Sequence, residues 1–258
     1  MLKLDHIGMV YHSDSGEVQA LNDINIDIGE GEFVSILGPS GCGKSTLLFI
    51  ATGLTKPSSG TVSIGGKIIA EPYHEVGFVF QDHLLLEWRT AVMNISMQGE
   101  LRGMSKKESR EKAMLLLDMV GLCEFADKYP YELSGGMQQR VSICRALLHE
   151  PKVLLMDEPF GALDALTREQ MRVDLESLWL KLKSTVMFVT HDISEAILLS
   201  DRVIVLSGRP GAVLTEMKID LPRPRSINIS DDEKFIRYKK QLTQIFMDMG
   251  VFHECKIK

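Results

Sequence analysis

The chain has 258 residues, 45% hydrophobic and 25% charged, a balance that buries a core and rules out a disordered or fibrous protein. Its formal net charge of -6 gives no long-range attraction for polyanions, so nucleic acid is not the expected partner, although a local basic patch fits within that sum. The four cysteines, Cys42, Cys123, Cys144 and Cys255, lack the paired spacing of a zinc site and read as reduced thiols in a cytoplasm.

The opening MLKLDHIGMVYHSD has no apolar segment of signal-peptide length, and nowhere do eighteen apolar residues run together. Neither export nor a membrane span is expected. From Met1 to about Ile69, short alternating runs (LKLDHIGMVY, INIDI, EFVSIL, TVSIGGKII) predict a mostly β start, with Gly65-Gly66 as a hairpin turn.

Within it, GPSGCGKST fits the phosphate-loop pattern at Gly38, Gly43, Lys44 and Ser45. Glycines let backbone N–H groups point at phosphate oxygens, the lysine neutralises them, and the serine hydroxyl can ligate magnesium. The predicted strand Phe33 to Leu37 before it and the helix from Ser45 after it place a helix N-terminus under the anion. In VGFVFQDHLLLEW, Gln81 leaves an apolar run, where its amide reaches magnesium or water, or is only a polar loop residue.

Residues from Ala91 to about Glu150 turn helical. Ser105 to Glu108 reads as a capping box ahead of the apolar Ala113, Leu116, Leu117 and Val120, and Gly121 suits the helix stop. LSGGMQQR, Leu133 to Arg140, is a second anion-site candidate: Ser134 offers a hydroxyl, Gly135 and Gly136 allow close approach, and a helix follows. Taken alone it is equally a helix cap.

The all-apolar runs VLLM and TVMFV, separated by the helical LTREQMRVDLESLWLKLK, are what a parallel sheet covered on both faces requires. The first ends in Asp157 and Glu158, a pair suited to magnesium through water and to activation of an attacking water, or simply a solvated strand end. The second leads to His191. LPRPR, Leu221 to Arg225, breaks structure, and Ser230 to Glu233 is expected to cap a last helix with Phe235, Tyr238, Leu242, Ile245 and Phe246 on one stripe.

In this order and spacing, the elements resemble the nucleotide-binding subunits of ATP-binding cassette transporters over nearly the whole chain. The resemblance implies an α/β fold: a P-loop NTPase core of ABC ATPase type with an N-terminal antiparallel β-subdomain and an inserted α-helical subdomain. About 1–89 and 150–220 would form the ATP-binding core, about 90–149 the helical signature subdomain, and about 221–258 a C-terminal extension with a helix. ATP and Mg2+ are the implied ligands. Tyr11 would stack on adenine, and Gly38, Pro39, Ser40, Gly41, Cys42, Gly43, Lys44, Ser45 and Thr46 would hold the phosphates. Ser45, Gln81 and Asp157 would serve the metal, Glu158 would be the general base, and His191 and Gln81 would complete the catalytic set.

Two such cassettes close head to tail, so Ser134, Gly135, Gly136 and Gln138 would face the ATP of the opposite subunit, with Asp164 for communication across the dimer. A second copy, transmembrane permease subunits and, indirectly, a solute-binding protein are the implied partners, with the chain peripheral on the cytoplasmic face of the membrane. GFVFQDHLLLEWRTAVMNI, FGALDALTREQM and LPRPR are similar to bacterial importer ATPases for nitrate, sulfonates and taurine. Glu87 precedes Trp88 where that group commonly has proline, a departure that bears on the solute and leaves the cassette intact. The alternative is a soluble cassette of DNA repair or translation, but Leu47 to Glu132 is too short for a repair-type coiled coil and one phosphate loop is too few for a translation factor. A small-molecule kinase has no use for LSGGMQQR.

Overall fold

The computed structural model describes residues 1–13, 16–225 and 227–251, so Cys255 and the end of the C-terminal extension lie outside the described residues. The chain forms two compact units, one of Met1–Pro72 with Met187–Lys258 and one of Tyr73–Val186.

In the first unit, β1 (Leu2–Ser13) pairs antiparallel with β2 (Gly16–Ile28) and with β4 (Ser59–Ile64), which turns through Gly65 and Gly66, both at positive φ, into β5 (Lys67–Ile68). Leu2, Leu4, Ile24, Ile26 and Ile28 are buried, the alternation of a sheet with one wet face. β3 (Phe33–Leu37) is different: all five residues are buried, and it runs parallel to β9 (Arg202–Leu206) from Val34↔Arg202 to Leu37↔Val205. β10 (Val213–Lys218) closes that side antiparallel to β9, with alternating exposure.

Among the described residues, the α-helices of this unit are α1 (Lys44–Ala51), α6 (Ile193–Leu199) and α7 (Glu233–Asp248). The expected stripe of α7 buries Phe235, Tyr238, Leu242 and Phe246, with Ile245 partly buried against the same core as Ala196, Ile197 and Val205. The cap is not Ser230, as the spacing predicts, but Asp232, whose Oδ1 accepts the N–H groups of Lys234 and Phe235 at 2.7 and 3.3 Å. A 3-10 segment over Ile227–Asp231 takes up the intervening residues.

In the second unit, β6 (Val76–Val79) runs parallel to β7 (Val153–Asp157), in register from Val76↔Val153 to Val79↔Met156. Its helices are α2 (Ala91–Leu101), α3 (Lys106–Met119), α4 (Gly135–Leu147) and α5 (Ala165–Leu182). Ser105 caps α3, its Oγ accepting from Glu108 N–H at 3.2 Å, and Gly121 at φ 69° follows the C-cap, so both ends of α3 stand where the sequence signals place them. The chain returns to the first unit along β8 (Thr185–Val189), fully buried. Among the described residues, no helix is long and apolar enough to cross a membrane.

Candidate functional site

The phosphate-loop residues of the first unit lie between the end of β3 and α1. Gly43 is the N-cap of α1 at φ 101°; no side chain caps the helix, and its first turn carries no acid. The leading N–H groups are thus left for an anion. A Cβ on Gly43 would stand 2.7 Å from Leu21 Cδ2 and 3.0 Å from the Ala20 carbonyl oxygen, so both the backbone conformation and the available space demand glycine.

Lys44 is 6% exposed, and its Nζ donates to the carbonyls of Gly38 (2.9 Å) and Pro39 (3.0 Å), which keeps an ammonium at the loop. Cys42 is buried, and burial raises its thiol above the ordinary value, which keeps it protonated. In the loop, its backbone N–H donates to the Pro39 carbonyl (3.3 Å). Ser40, Gly41 and Ser45 are exposed, Pro39 and Thr46 half-buried. Tyr11, at 42% exposure, brings its hydroxyl within 3.3 Å of Thr46 Oγ1, so the aromatic ring stands beside the loop's last residue.

His191 belongs to the same unit. Thr190 N–H donates to the Ile36 carbonyl (3.3 Å), carrying the chain past the end of β3, and His191 follows it into solvent. The turn is fastened on its far side. Thr190 Oγ1 accepts from Asp192 N–H (3.0 Å) and donates to the buried Glu195 carboxylate (2.6 Å), while Asp192 Oδ1 caps α6 by accepting Glu195 N–H (3.0 Å).

The parallel register of β6 and β7 brings Gln81 and the Asp157-Glu158 pair to the same edge of the second unit. Asp157 and Glu158 are half-buried, and Glu158 holds φ 43°, a left-handed conformation costing about 1–3 kcal/mol outside glycine. Gly161 N–H donating to the Glu158 carbonyl (3.0 Å) maintains the turn. Gln81 is exposed, its Nε2 3.5 Å from where a Cβ on Gly161 would be.

Ser134 is the N-cap of α4, its Oγ accepting Met137 N–H at 3.3 Å, and no acid occupies the first turn. Gly135 is exposed, whereas a Cβ on the buried Gly136 would stand 2.5 Å from Thr167 Cγ2 on α5, so the start of α4 lies flush against that of α5. Asp164 caps α5, Oδ1 accepting Leu166 and Thr167 N–H at 3.1 Å each. Hydrogen bonds from Thr167, side chain first, pull its carboxyl below the usual range. Gln138 donates its Nε2 to the carbonyls of Pro130 (2.9 Å) and Leu133 (3.2 Å), bracing the approach to Ser134.

Three residues that sequence reasoning passed over hold the segment after Gln81. Arg145, on α4, donates to the carbonyls of Leu84 (2.6 Å) and His83 (2.8 Å), and Gln139 Oε1 lies 2.5 Å from His83 Nδ1. Asn94, fully buried on α2, accepts Leu86 N–H (2.8 Å) and donates to the carbonyls of Leu86, Arg89 and Thr90 at 3.1, 2.9 and 3.1 Å. A polar residue on the buried face of an amphipathic helix was the available signal. Trp88, in the same segment, is 72% exposed.

With this geometry in place, the likeness to known proteins is specific. The family model described as ABC transporter matches residues 21–161. The nitrate import ATP-binding protein NrtD of Synechocystis is 42% identical over 250 residues, covering 95% of this chain and 94% of that one. The taurine import ATP-binding protein TauB of Rhizobium johnstonii is 46% identical over 224 residues, 86% of each chain. Among solved structures, a dimeric post-hydrolysis state of the ATP-binding cassette MJ0796, bound to ADP and Pi, superposes with a TM-score of 0.75 at 37% identity, over 86% of this chain and 100% of that chain. With the family model spanning more than half of the sequence and relatives at this identity along most of it, the chain belongs to the ABC transporter family.

Proposed function

We propose that the chain is the ATP-hydrolysing subunit of an importer for nitrate-, sulfonate- or taurine-like solutes, peripheral on the cytoplasmic face of the membrane. It would work as a head-to-tail homodimer bound to separate permease subunits and served indirectly by a solute-binding protein. The observation that carries this reading is the phosphate loop: left-handed Gly43 under an uncapped α1, Lys44 turned onto the loop carbonyls, and Tyr11 beside Thr46. NrtD and TauB are both named as import ATP-binding proteins, which favours import over a soluble role in DNA repair or translation.

In this reading, Tyr11 stacks on adenine, and the amides of residues 38–46 with Lys44 hold the phosphates. Glu158 takes a proton from the attacking water as its oxygen bonds to the terminal phosphorus and ADP leaves, while Gln81 orients that water and His191 contacts the terminal phosphate. Ser134, Gly135 and Gly136 close over the partner copy's nucleotide with the N-terminus of α4 behind them, Gln138 bracing the approach. Asp164 communicates across the dimer, and the helical segment of about 90–149 moves with the signature.

Among the described residues, no three His, Cys, Asp or Glu side chains gather as a metal cage. Ser45, Asp157 and Gln81 offer a hydroxyl, a carboxylate and an amide oxygen, hard oxygen donors that fit Mg2+, which keeps several waters and takes phosphate oxygens alongside one or two protein ligands. Ser45 and Asp157, with Gln81, would hold the ion, which supplies neutralisation of charge on the phosphates.

Mixing two inactive variants, Lys44→Ala and Ser134→Arg, in a tethered dimer tests the shared site. If phosphate loop and signature serve different nucleotides, one site carries both lesions and the other is intact. Trapping of about one nucleotide per dimer with a phosphate mimic is then expected in a single turnover. No trapping, with dimers verified by sizing, would overturn the head-to-tail arrangement. Independently, Glu158→Gln is expected to abolish most hydrolysis while ATP still binds and holds the dimer closed; hydrolysis within a few-fold of the parent would exclude Glu158 as the base.

A further inference from the structure

His191 stands one residue before the cap of α6, and α6 has only the seven residues Ile193–Leu199. A helix of two turns does not persist on its own propensity, so what fixes it must come from outside. Every helix leaves its last carbonyls without intrahelical partners. In α6 the Ala196 carbonyl accepts Ser200 N–H (3.2 Å), and the four carbonyls after it accept from two arginines of the LPRPR segment. Arg225 Nη1 donates to Ile197 (2.8 Å), Leu198 (3.1 Å) and Ser200 (2.8 Å), and Arg223 Nη2 donates to Leu199 (2.6 Å).

These two guanidinium groups are anchored in turn. Arg225 is 4% exposed and its Nη2 reaches the Leu221 carbonyl (3.3 Å), while Arg223 pairs with Asp201 Oδ1 at 3.0 Å. Positive charge at the carboxyl end of a helix also matches its dipole. The flank of α6 is covered by α7, whose Phe235, Tyr238 and Leu242 share a core with Ala196 and Ile197, and Tyr238 OH accepts Asp220 N–H (3.1 Å).

At 1.5 Å per residue, α6 is about 10 Å long. It is a short strut with the Thr190–Glu195 lock at one end and the arginines at the other.

We propose that Arg225, assisted by Arg223, is a positioning residue for hydrolysis: it anchors the carboxyl end of α6 and thereby holds the His191 turn, which makes the chain beyond residue 220 the mount of that turn. The inference rests on the role given to His191 above, and its test separates the two. In the full chain, Arg225→Gln is expected to lower kcat about tenfold with KM for ATP within about twofold. It is also expected to shift the His191 ring resonance, identified by its loss in His191→Ala. Arg225→Lys keeps the charge but not the fork and should recover part of both. In single turnovers the Arg225→Gln, His191→Ala double variant should be no slower than His191→Ala alone.

A kcat within twofold of the parent together with an unmoved ring resonance would overturn the proposal, as would losses that multiply in the double variant. If Arg225→Gln does not fold, Arg223→Gln, which removes a single carbonyl contact of α6, is read in the same two ways, and an unchanged kcat and resonance there overturn it equally. Parent-like hydrolysis by His191→Ala would instead sink the role of His191, leaving the ring resonance to decide the anchor by itself.

Discussion

The loop at residues 38–43 and the segment at residues 81–90 each follow a strand of a parallel pair, β3 with β9 and β6 with β7, yet they are held in opposite ways. The first is shaped by its own residues: glycine at positive φ, the Lys44 ammonium folded back five and six residues, and a Cys42 N–H donating to Pro39 (3.3 Å). The second is shaped by side chains from elsewhere, Asn94 on α2 and Gln139 and Arg145 on α4, the last at a separation of 61 and 62 residues. A loop that must offer bare backbone to an anion cannot be wrapped in side chains. A loop without that duty can be, and it then takes its position from the helices that hold it.

The largest effect expected from this contrast is in Gly43→Ala, where a left-handed backbone and contacts of 2.7 and 3.0 Å meet any Cβ. Strain of about 3 kcal/mol in the phosphate-bound form should weaken ATP binding by roughly a hundredfold or more, measured by titration with a fluorescent ATP analogue. Gly41→Ala, at φ 75° with nothing within 4 Å, should lose only about tenfold. Equal losses would mean that the left-handed conformation common to both, and not the close contacts at Gly43, sets the effect.

Next in size is Arg145→Ala, which strands the carbonyls of His83 and Leu84. We expect unfolding to become easier by about 2–3 kcal/mol in a denaturant titration, with ATP-analogue affinity changed less than threefold. The reverse pattern, intact stability and lost affinity, would break the comparison. Asn94→Ala removes one acceptor and three donor contacts and should cost about 1–3 kcal/mol by the same measurement. Smallest is Trp88→Ala: at 72% exposure its removal should alter stability by less than about 0.5 kcal/mol and leave the isolated subunit's ATPase unchanged. Assembly with the permease subunits, read by co-purification, should weaken.

How far the site was legible follows from the same contrast. GPSGCGKST could be read because its distinguishing features are local: the positive φ of Gly43, the short reach of Lys44 back to Gly38, and the open N-terminus of α1. Asp157-Glu158 and His191 could be placed at strand ends because an all-apolar run announces a buried strand, and the residues that follow it stand at its carboxyl end. Arg145 and Asn94 went unread because their partners are main-chain carbonyls, which carry no residue identity. The cap of α7 was misplaced for a related reason: Ser230 and Asp232 both suit an N-cap, and the choice between them depends on where the buried stripe from Phe235 sits against α6.

The sequence by itself determined the α/β class, the order of the elements, the apolar strands and the glycine-rich loop ahead of α1, because each rests on interactions within a few residues or on burial periods of two and 3.6. Only the tertiary structure decided which side chains hold the segment after Gln81, that Trp88 stands in solvent, and that the arginines of LPRPR end on the carbonyls of α6. A hydrogen bond between residues 25 or 61 positions apart costs the chain a loop closure that only the assembled core offsets. Its existence is therefore written in the packing of the whole unit, and neither end shows it alone.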